Sequence, residues 1–194
     1  MNLPNKLTLL RVFLIPFFLL FMYLDFGCHF LLALIIFAAA SVTDALDGKI
    51  ARKHNLVTNF GKFLDPLADK VLVISALTVF VELDCVNMGA IPLIIIIARE
   101  FMVSGLRLLA ADGGVVVAAG IWGKLKTAFT MVTVVGILLW LCICFDFNAG
   151  LGCGFVDAVN DIVIPALIWI STALTIISGL IYLKGYWHLI DSDK

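Results

Sequence analysis

Ile91-Pro92-Leu93-Ile94-Ile95-Ile96-Ile97 is an unbroken apolar run, with no polar residue to mark an outer face. A half-exposed strand alternates apolar and polar side chains with a period of two, and this run does not. It belongs to a longer apolar stretch, about 90–110, matching the roughly 20 residues a helix needs to cross a bilayer. Five more such stretches lie at about 9–24, 30–50 (with a polar end), 63–81, 125–145 and 162–183. Short polar or glycine-rich joints separate them. Backbone polar groups in lipid must be satisfied inside a helix or a closed barrel, and a barrel would alternate in units of about ten residues. The expected fold is therefore all-α: a polytopic integral membrane protein with six transmembrane helices, forming one domain over residues 1–194.

Composition agrees. Of 194 residues, 63% are hydrophobic and 14% charged, against about 45–50% and about 25% in soluble domains. The mean hydropathy is +1.14. A soluble enzyme, a disordered chain and a nucleic-acid binder are excluded. The net charge of −1 says less than its distribution. Lys6 and Arg11 lie near the N-terminus, and Lys49, Arg52, Lys53, Lys62 and Lys70 lie around the second joint. Lys124 and Lys126 lie at the fourth joint, and Lys184 and Lys194 near the C-terminus. The first, third and fifth joints carry acids instead, Asp25, then Glu82 and Asp84, then Asp146, Asp157 and Asp161. Positive charge favours the cytoplasmic side, so both termini are expected there. Met1 to Lys6 reads as an amphiphilic start lying along that interface. Ala38-Ala39-Ala40-Ser41 follows a second long apolar stretch and is not expected to be a signal-cleavage site. Cys28, Cys85, Cys142, Cys144 and Cys153 fall near the outward face, as buried small side chains or, for Cys28, Cys85 and Cys153, as disulfide candidates.

An aspartate inside a membrane helix is costly, and is by default a functional hypothesis. Four gather at the inner ends of the second and third stretches, in Asp44-Ala45-Leu46-Asp47-Gly48-Lys49-Ile50-Ala51-Arg52 and Gly61-Lys62-Phe63-Leu64-Asp65-Pro66-Leu67-Ala68-Asp69. At about 100° per residue, Asp44, Asp47, Gly48, Ala51 and Arg52 span an arc of roughly 140°. Gly61, Asp65 and Asp69 succeed one another at i, i+4. Four converging carboxylates repel unless cations hold them. Oxygen-only donors suit two hard divalent cations, Mg²⁺ or Mn²⁺. Gly48 and Gly61 leave room for a ligand, and Arg52 suits phosphate oxygens. The chemistry indicated is phosphoryl transfer on a diphosphate. A set of interfacial acids offset by Lys49, Lys53 and Lys62 is the plain alternative.

Asp44 to Asp69 resembles the CDP-alcohol phosphotransferase signature D-x-x-D-G-x-x-A-R-x(8)-G-x-x-x-D-x-x-x-D at every fixed position. The resemblance implies six transmembrane helices in a homodimer of the inner (cytoplasmic) membrane, with the active site facing the cytoplasm. It implies Asp44, Asp47, Asp65 and Asp69 as metal ligands and Asp69 as general base. Gly48, Arg52 and Thr58 would meet the CDP-linked lipid, CDP-diacylglycerol. Asn5 and Thr8 would meet its cytidine end, or cap the first helix.

Asn2-Leu3-Pro4-Asn5-Lys6-Leu7-Thr8-Leu9-Leu10-Arg11, Arg99-Glu100-Phe101-Met102-Val103-Ser104-Gly105-Leu106-Arg107 and Gly123-Lys124-Leu125-Lys126-Thr127 resemble bacterial members that transfer to sn-glycerol 3-phosphate. The resemblance reaches about residue 131, the last two apolar stretches being generic. The implied reaction makes phosphatidylglycerol phosphate and CMP for phospholipid biosynthesis. A dianionic acceptor needs cations, and Arg99, Arg107, Lys124 and Lys126 are the candidates. Arg99 could instead neutralise Glu100 or a catalytic Asp, and the two lysines could be anchors. Serine, inositol phosphate or a phospholipid are the alternative acceptors. A divalent-cation transporter would want acids near mid-membrane on several helices, and a structural subunit would not need four. Tyr182, Tyr186 and Trp187 read as an interfacial aromatic belt.

Overall fold

The computed structural model describes residues 3–54, 59–112, 120–147, 150 and 152–190, with the backbone alone for 3–6, 44–54, 59–63, 65–66, 111–112, 153 and 188–190. Every regular element among the described residues is helical: α1 Leu3–Tyr23, α2 His29–His54, α3 Asn59–Glu82, α4 Ala90–Asp112, α5 Ile121–Leu141, α6 Cys153–Ala158 and α7 Ile164–Ile190. A 3-10 turn, Asp84–Val86, lies between α3 and α4. A wide helical turn, Cys142–Asp146, prolongs α5, and another, Val159–Val163, joins α6 to α7.

Each of the six apolar stretches holds a helix, and the ends differ. Leu3 to Lys6 continue α1 without a break, rather than lying apart as an interfacial segment. The last stretch begins a turn or more earlier than expected, at Cys153, and runs on to Ile190. Two helical runs, Ile121–Asp146 and Gly154–Trp187, are long and apolar enough to cross a membrane, and Leu7–Tyr23 and His29–Thr43 are shorter apolar segments. In α4, Arg99, Glu100 and Arg107 interrupt the apolar run, as Asp69 and Lys70 do in α3. These interrupting charges face one another in the fold.

α1 packs along both α2 and α3, α5 along α2 and α7, and α4 along α7. Ile15, Phe18 and Met22 form the buried face of α1 at helical spacing, and Phe18 meets Phe37 of α2 with ring centres 5.8 Å apart. Ala33 and Ala40 are fully buried, so small side chains let α2 lie close to its neighbours. The opposite face of α1 is equally apolar, with Phe13, Phe17 and Leu20 exposed. A helix apolar all round is what a lipid surround tolerates and water does not.

Between α5 and α7 the contact is hydroxylated. Thr130, Thr133, Ser171, Thr172, Thr175 and Ser178 are all buried. Thr130 and Ser171 share a hydrogen bond of 2.8 Å, and Thr130 also donates to the Lys126 carbonyl at 3.0 Å. Thr172 and Thr175 donate back to the carbonyls of Ile168 and Ser171, each at 2.8 Å. Threonines therefore sit in an apolar interior with their protons satisfied within their own helix.

At the end carrying the α1–α2 and α3–α4 links, Asp146 accepts the backbone N–H of Leu31 at 2.6 Å, which satisfies a donor in the first turn of α2. Tyr23 donates to Glu82 at 2.5 Å, tying α1 to α3. Cys28, Cys85, Cys142 and Cys144 are free thiols, and the Cys153 side chain lies outside the described residues. Cys28 is exposed with φ 68°, a left-handed backbone, whereas burial pushes the half-buried Cys85 thiol up. A raised pKa lowers the reactive thiolate fraction at a given pH. In purified protein, maleimide should therefore modify Cys28 several times faster than Cys85. Cys85 labelling should keep accelerating above the ordinary thiol range, and peptide mass spectrometry checks both. Cys85 reacting first would contradict this packing.

Candidate active site

α2 is continuous through Asp44, Asp47, Gly48, Ala51 and Arg52, and α3 through Gly61, Asp65 and Asp69. The motif's one-turn spacings are therefore real helical spacings. The side chains of Asn5, Asp44, Asp47, Arg52 and Asp65 lie outside the described residues, as do the side-chain surroundings of Gly48 and the whole of Thr58. Asp69 is described, and is half-buried.

Asp69 opens onto a cleft between three helices. α3 supplies Asp69, Lys70, Val73 and Ile74, α4 supplies Ile96 and Glu100, and α5 supplies Lys126, Thr127, Thr130 and Met131. The cleft holds about 400 Å³ of open space, counting its mouth. Each set follows i, i+4 spacing, so one face of each helix builds the wall.

Glu100 organises the cations around it. Its Oε1 accepts a hydrogen bond from Arg99 Nη1 at 3.0 Å and another from Lys126 Nζ. Arg99 Nη2 then donates to Ser178 of α7 at 2.6 Å, so one carboxylate connects α4, α5 and α7. A Cβ on Gly179 would lie 3.0 Å from Arg99 Cγ, so this glycine is the seat of the arginine's stem. Arg99 Nε is buried with no hydrogen-bond partner among the described residues. Lys126 is itself buried, which an interfacial anchor would not be.

Tyr182 of α7 is 5% exposed, so it does not belong to an interfacial aromatic belt. Its ring lies under the guanidinium carbons of Arg99 and Arg107, at 5.6 and 5.5 Å from the centroid. Its hydroxyl accepts from Arg107 Nη2 at 3.2 Å and from the Gly120 N–H at 2.8 Å, just before α5 begins. A cation over an aromatic face is stabilised, the more so when water is excluded. Trp187 is exposed, as a belt residue would be, and Tyr186 stacks on Tyr182 at 6.3 Å.

The expected acceptor-binding residues thus fall into two linked groups and one outlier. Lys126 lines the cleft with Asp69, and Arg99 stands beside it through Glu100. Arg107 joins Arg99 at Tyr182, while Lys124 lies exposed on α5. Thr8 and Arg11 are fully buried in α1, and Arg11 Nε donates to the Ala40 carbonyl of α2 at 3.3 Å, one turn before Asp44. Arg11 is therefore an interior residue as well as part of the charge bias along the chain. Glu100, Lys70, Ser178 and Tyr182 enter this environment without having been singled out as site residues. The available signal was a charge in mid-helix, which is costly wherever it lies.

Tyr182→Phe keeps the ring under the arginines and removes the acceptor of Arg107 and Gly120. The loss should be about 1 kcal/mol of stability, read by reversible unfolding in mixed micelles. A change near zero would mean that the hydroxyl does not hold the start of α5.

Residues 1–177 match the family model described as CDP-alcohol phosphatidyltransferase. The chain is 41% identical to the CDP-diacylglycerol--glycerol-3-phosphate 3-phosphatidyltransferase of Bacillus subtilis (strain 168), over 100% of this chain and 99% of the relative. Identity to the protein of the same name from Rickettsia typhi is 40%, over 95% of this chain and 96% of the relative. For that of Haemophilus influenzae it is 45%, over 72% and 76%. The family match extends past residue 131, through α5 and into α7 as far as residue 177, and the Bacillus subtilis relative also covers the rest of α7, which carries Ser178 and Tyr182. By sequence over most of its length, this chain belongs to the CDP-alcohol phosphatidyltransferase family.

Proposed function

We propose that this protein transfers the phosphatidyl group of CDP-diacylglycerol to sn-glycerol 3-phosphate, giving phosphatidylglycerol phosphate and CMP. The observation that carries this reading is the cleft that faces Asp69 with Lys126 and Glu100, in a chain alignable end to end with relatives named for that reaction.

The acceptor's hydroxyl oxygen attacks the phosphorus that bears the lipid, and the bond from that phosphorus to the CMP oxygen breaks. An ionised hydroxyl is costly, so a base within about 3 Å is needed as the bond forms. Asp69 is assigned that proton, on a carboxylate oxygen. Lys126 and Arg99 hold the acceptor's phosphate, with Arg107 and Lys124 as further cations on the approach. Asn5, Thr8, Gly48, Arg52 and Thr58 are assigned to CDP-diacylglycerol.

Asp44, Asp47, Asp65 and Asp69 would hold two divalent cations, Mg²⁺ or Mn²⁺. An all-carboxylate donor set on successive helical turns fits hard ions. Such ions supply charge neutralisation to a diphosphate and to a departing phosphate oxygen.

The reaction suits a multi-pass protein of the inner (cytoplasmic) membrane, with six spans, both termini and the site on the cytoplasmic side. Lysine and arginine at the second and fourth joints and at both ends support that orientation. The homodimer rests on the family resemblance.

The test is CMP release by purified protein in detergent with CDP-diacylglycerol and Mg²⁺, with and without glycerol 3-phosphate. Release should require the acceptor, fall by about 10²-fold or more in Asp69→Asn, and vanish on chelation until Mg²⁺ or Mn²⁺ is restored. Release that ignores glycerol 3-phosphate, or full activity in Asp69→Asn, would overturn the reading.

A further inference from the structure

Lys70 lies next to Asp69 in sequence, and by position along the chain it counts among the positive charges that set membrane orientation. The fold gives it a different setting. It is half-buried and lines the same cleft as Asp69 and Lys126. Its ammonium donates to the Ser104 hydroxyl, which spends its own proton on the Glu100 backbone carbonyl at 2.6 Å. Lys70 is thus held by a neutral oxygen. The nearby carboxylate, Glu100, is engaged by Arg99 and Lys126.

Charge arithmetic shows what this leaves. Among the described residues, Lys70 has Asp69, Glu100, Lys126 and Arg107 within electrostatic reach, and Arg99 is joined to the same group through Glu100. Among the described side chains that are at least partly buried, that is three cations, Lys70, Arg99 and Lys126, against two carboxylates, Asp69 and Glu100, with Arg107 exposed at the edge of the group. The described group at the cleft thus carries more positive than negative charge, which favours an anionic ligand there. A phosphate monoester carries about −1.5 to −2 near neutral pH. We propose that Lys70 is an acceptor-binding residue, which with Lys126 forms a two-lysine seat for the phosphate of glycerol 3-phosphate. Ser104 anchors the Lys70 ammonium at the wall of the cleft through a neutral oxygen, which leaves its charge for a ligand. This inference rests on the acceptor being a phosphorylated alcohol, as proposed above.

Steady-state CMP release tests it in wild type, Lys70→Met and Lys70→Arg, varying each substrate with the other saturating. Lys70→Met should raise the KM for glycerol 3-phosphate by about 10- to 100-fold, the range for losing one charge-assisted hydrogen bond. The KM for CDP-diacylglycerol and kcat should stay within about twofold, and Lys70→Arg should restore most of the acceptor affinity. Without turnover, inorganic phosphate should raise the melting temperature of wild type more than that of Lys70→Met. An unchanged acceptor KM in Lys70→Met overturns the assignment, and so does a fall in kcat alone, which would place Lys70 in the service of Asp69. Should Lys70→Met not fold, Lys70→Gln takes its place: a rise confined to the acceptor KM supports the seat, and an unchanged acceptor KM or a fall in kcat alone overturns it. Wild type that releases CMP without needing glycerol 3-phosphate would instead overturn the underlying choice of acceptor.

Discussion

One carboxylate oxygen, Oε1 of Glu100, receives both Arg99 and Lys126, and Arg99 passes the connection on to Ser178. Inside an apolar bundle charges must find partners, because the cost of leaving one unpaired exceeds that of most packing errors. That requirement fixes the rotation of α4 against α5 and α7 more tightly than apolar contact can. A leucine that turns outward in lipid loses little, whereas Arg99 turned outward would lose its carboxylate, its serine and the Tyr182 ring. Gly179 shows how closely α7 is fitted to this arginine, since even a methyl group there would press on its stem. The cleft beside Asp69 is the space left when α3 closes against that fixed pair of helices.

Much of this fold was legible along the chain and less of it around the helices. Continuous apolar runs such as 91–97 announced helices in lipid, and each expected stretch holds one. Rotation is harder to read, because a helix facing protein on one side and lipid on the other is apolar on both. Phe18 is fully buried and Phe17 is 52% exposed, and nothing in their chemistry tells them apart. Position along the chain marks Arg11 and Lys70 only as indicators of membrane side, and Lys126 as such an indicator as well as a candidate acceptor-binding residue. Their side chains point inward, to Ala40, Ser104 and Glu100. Tyr182 looked like a belt residue because its neighbours Tyr186 and Trp187 are aromatic too, but its partners lie 60 to 80 residues away in sequence. The carboxylate motif was legible because its spacing is local, one helical turn at a time. The cleft beside Asp69 is lined from three helices, so the sequence offers its cations one by one and not their grouping.

The two halves of the proposed site ask for different physics. The donor carries its own long apolar chains and a diphosphate, so lipid brings it to the bundle and carboxylates on α2 and α3 are assigned its charged end. The acceptor is small, soluble and anionic, and must be drawn out of water into a cleft within the bundle. Excess positive charge in a low-dielectric wall attracts such an anion and discriminates against neutral alcohols of similar size. Paired Glu100 keeps that excess bounded, so the cations are held in place before any ligand arrives.

The central claim is that this cleft selects a phosphorylated alcohol, and acceptor competition tests it most directly. Purified protein would be given CDP-diacylglycerol with equal concentrations of glycerol 3-phosphate, glycerol, serine and inositol phosphate, and the lipid products separated by mass spectrometry. The account predicts phosphatidylglycerol phosphate as the dominant product. Phosphatidylserine or unphosphorylated phosphatidylglycerol in its place would contradict it.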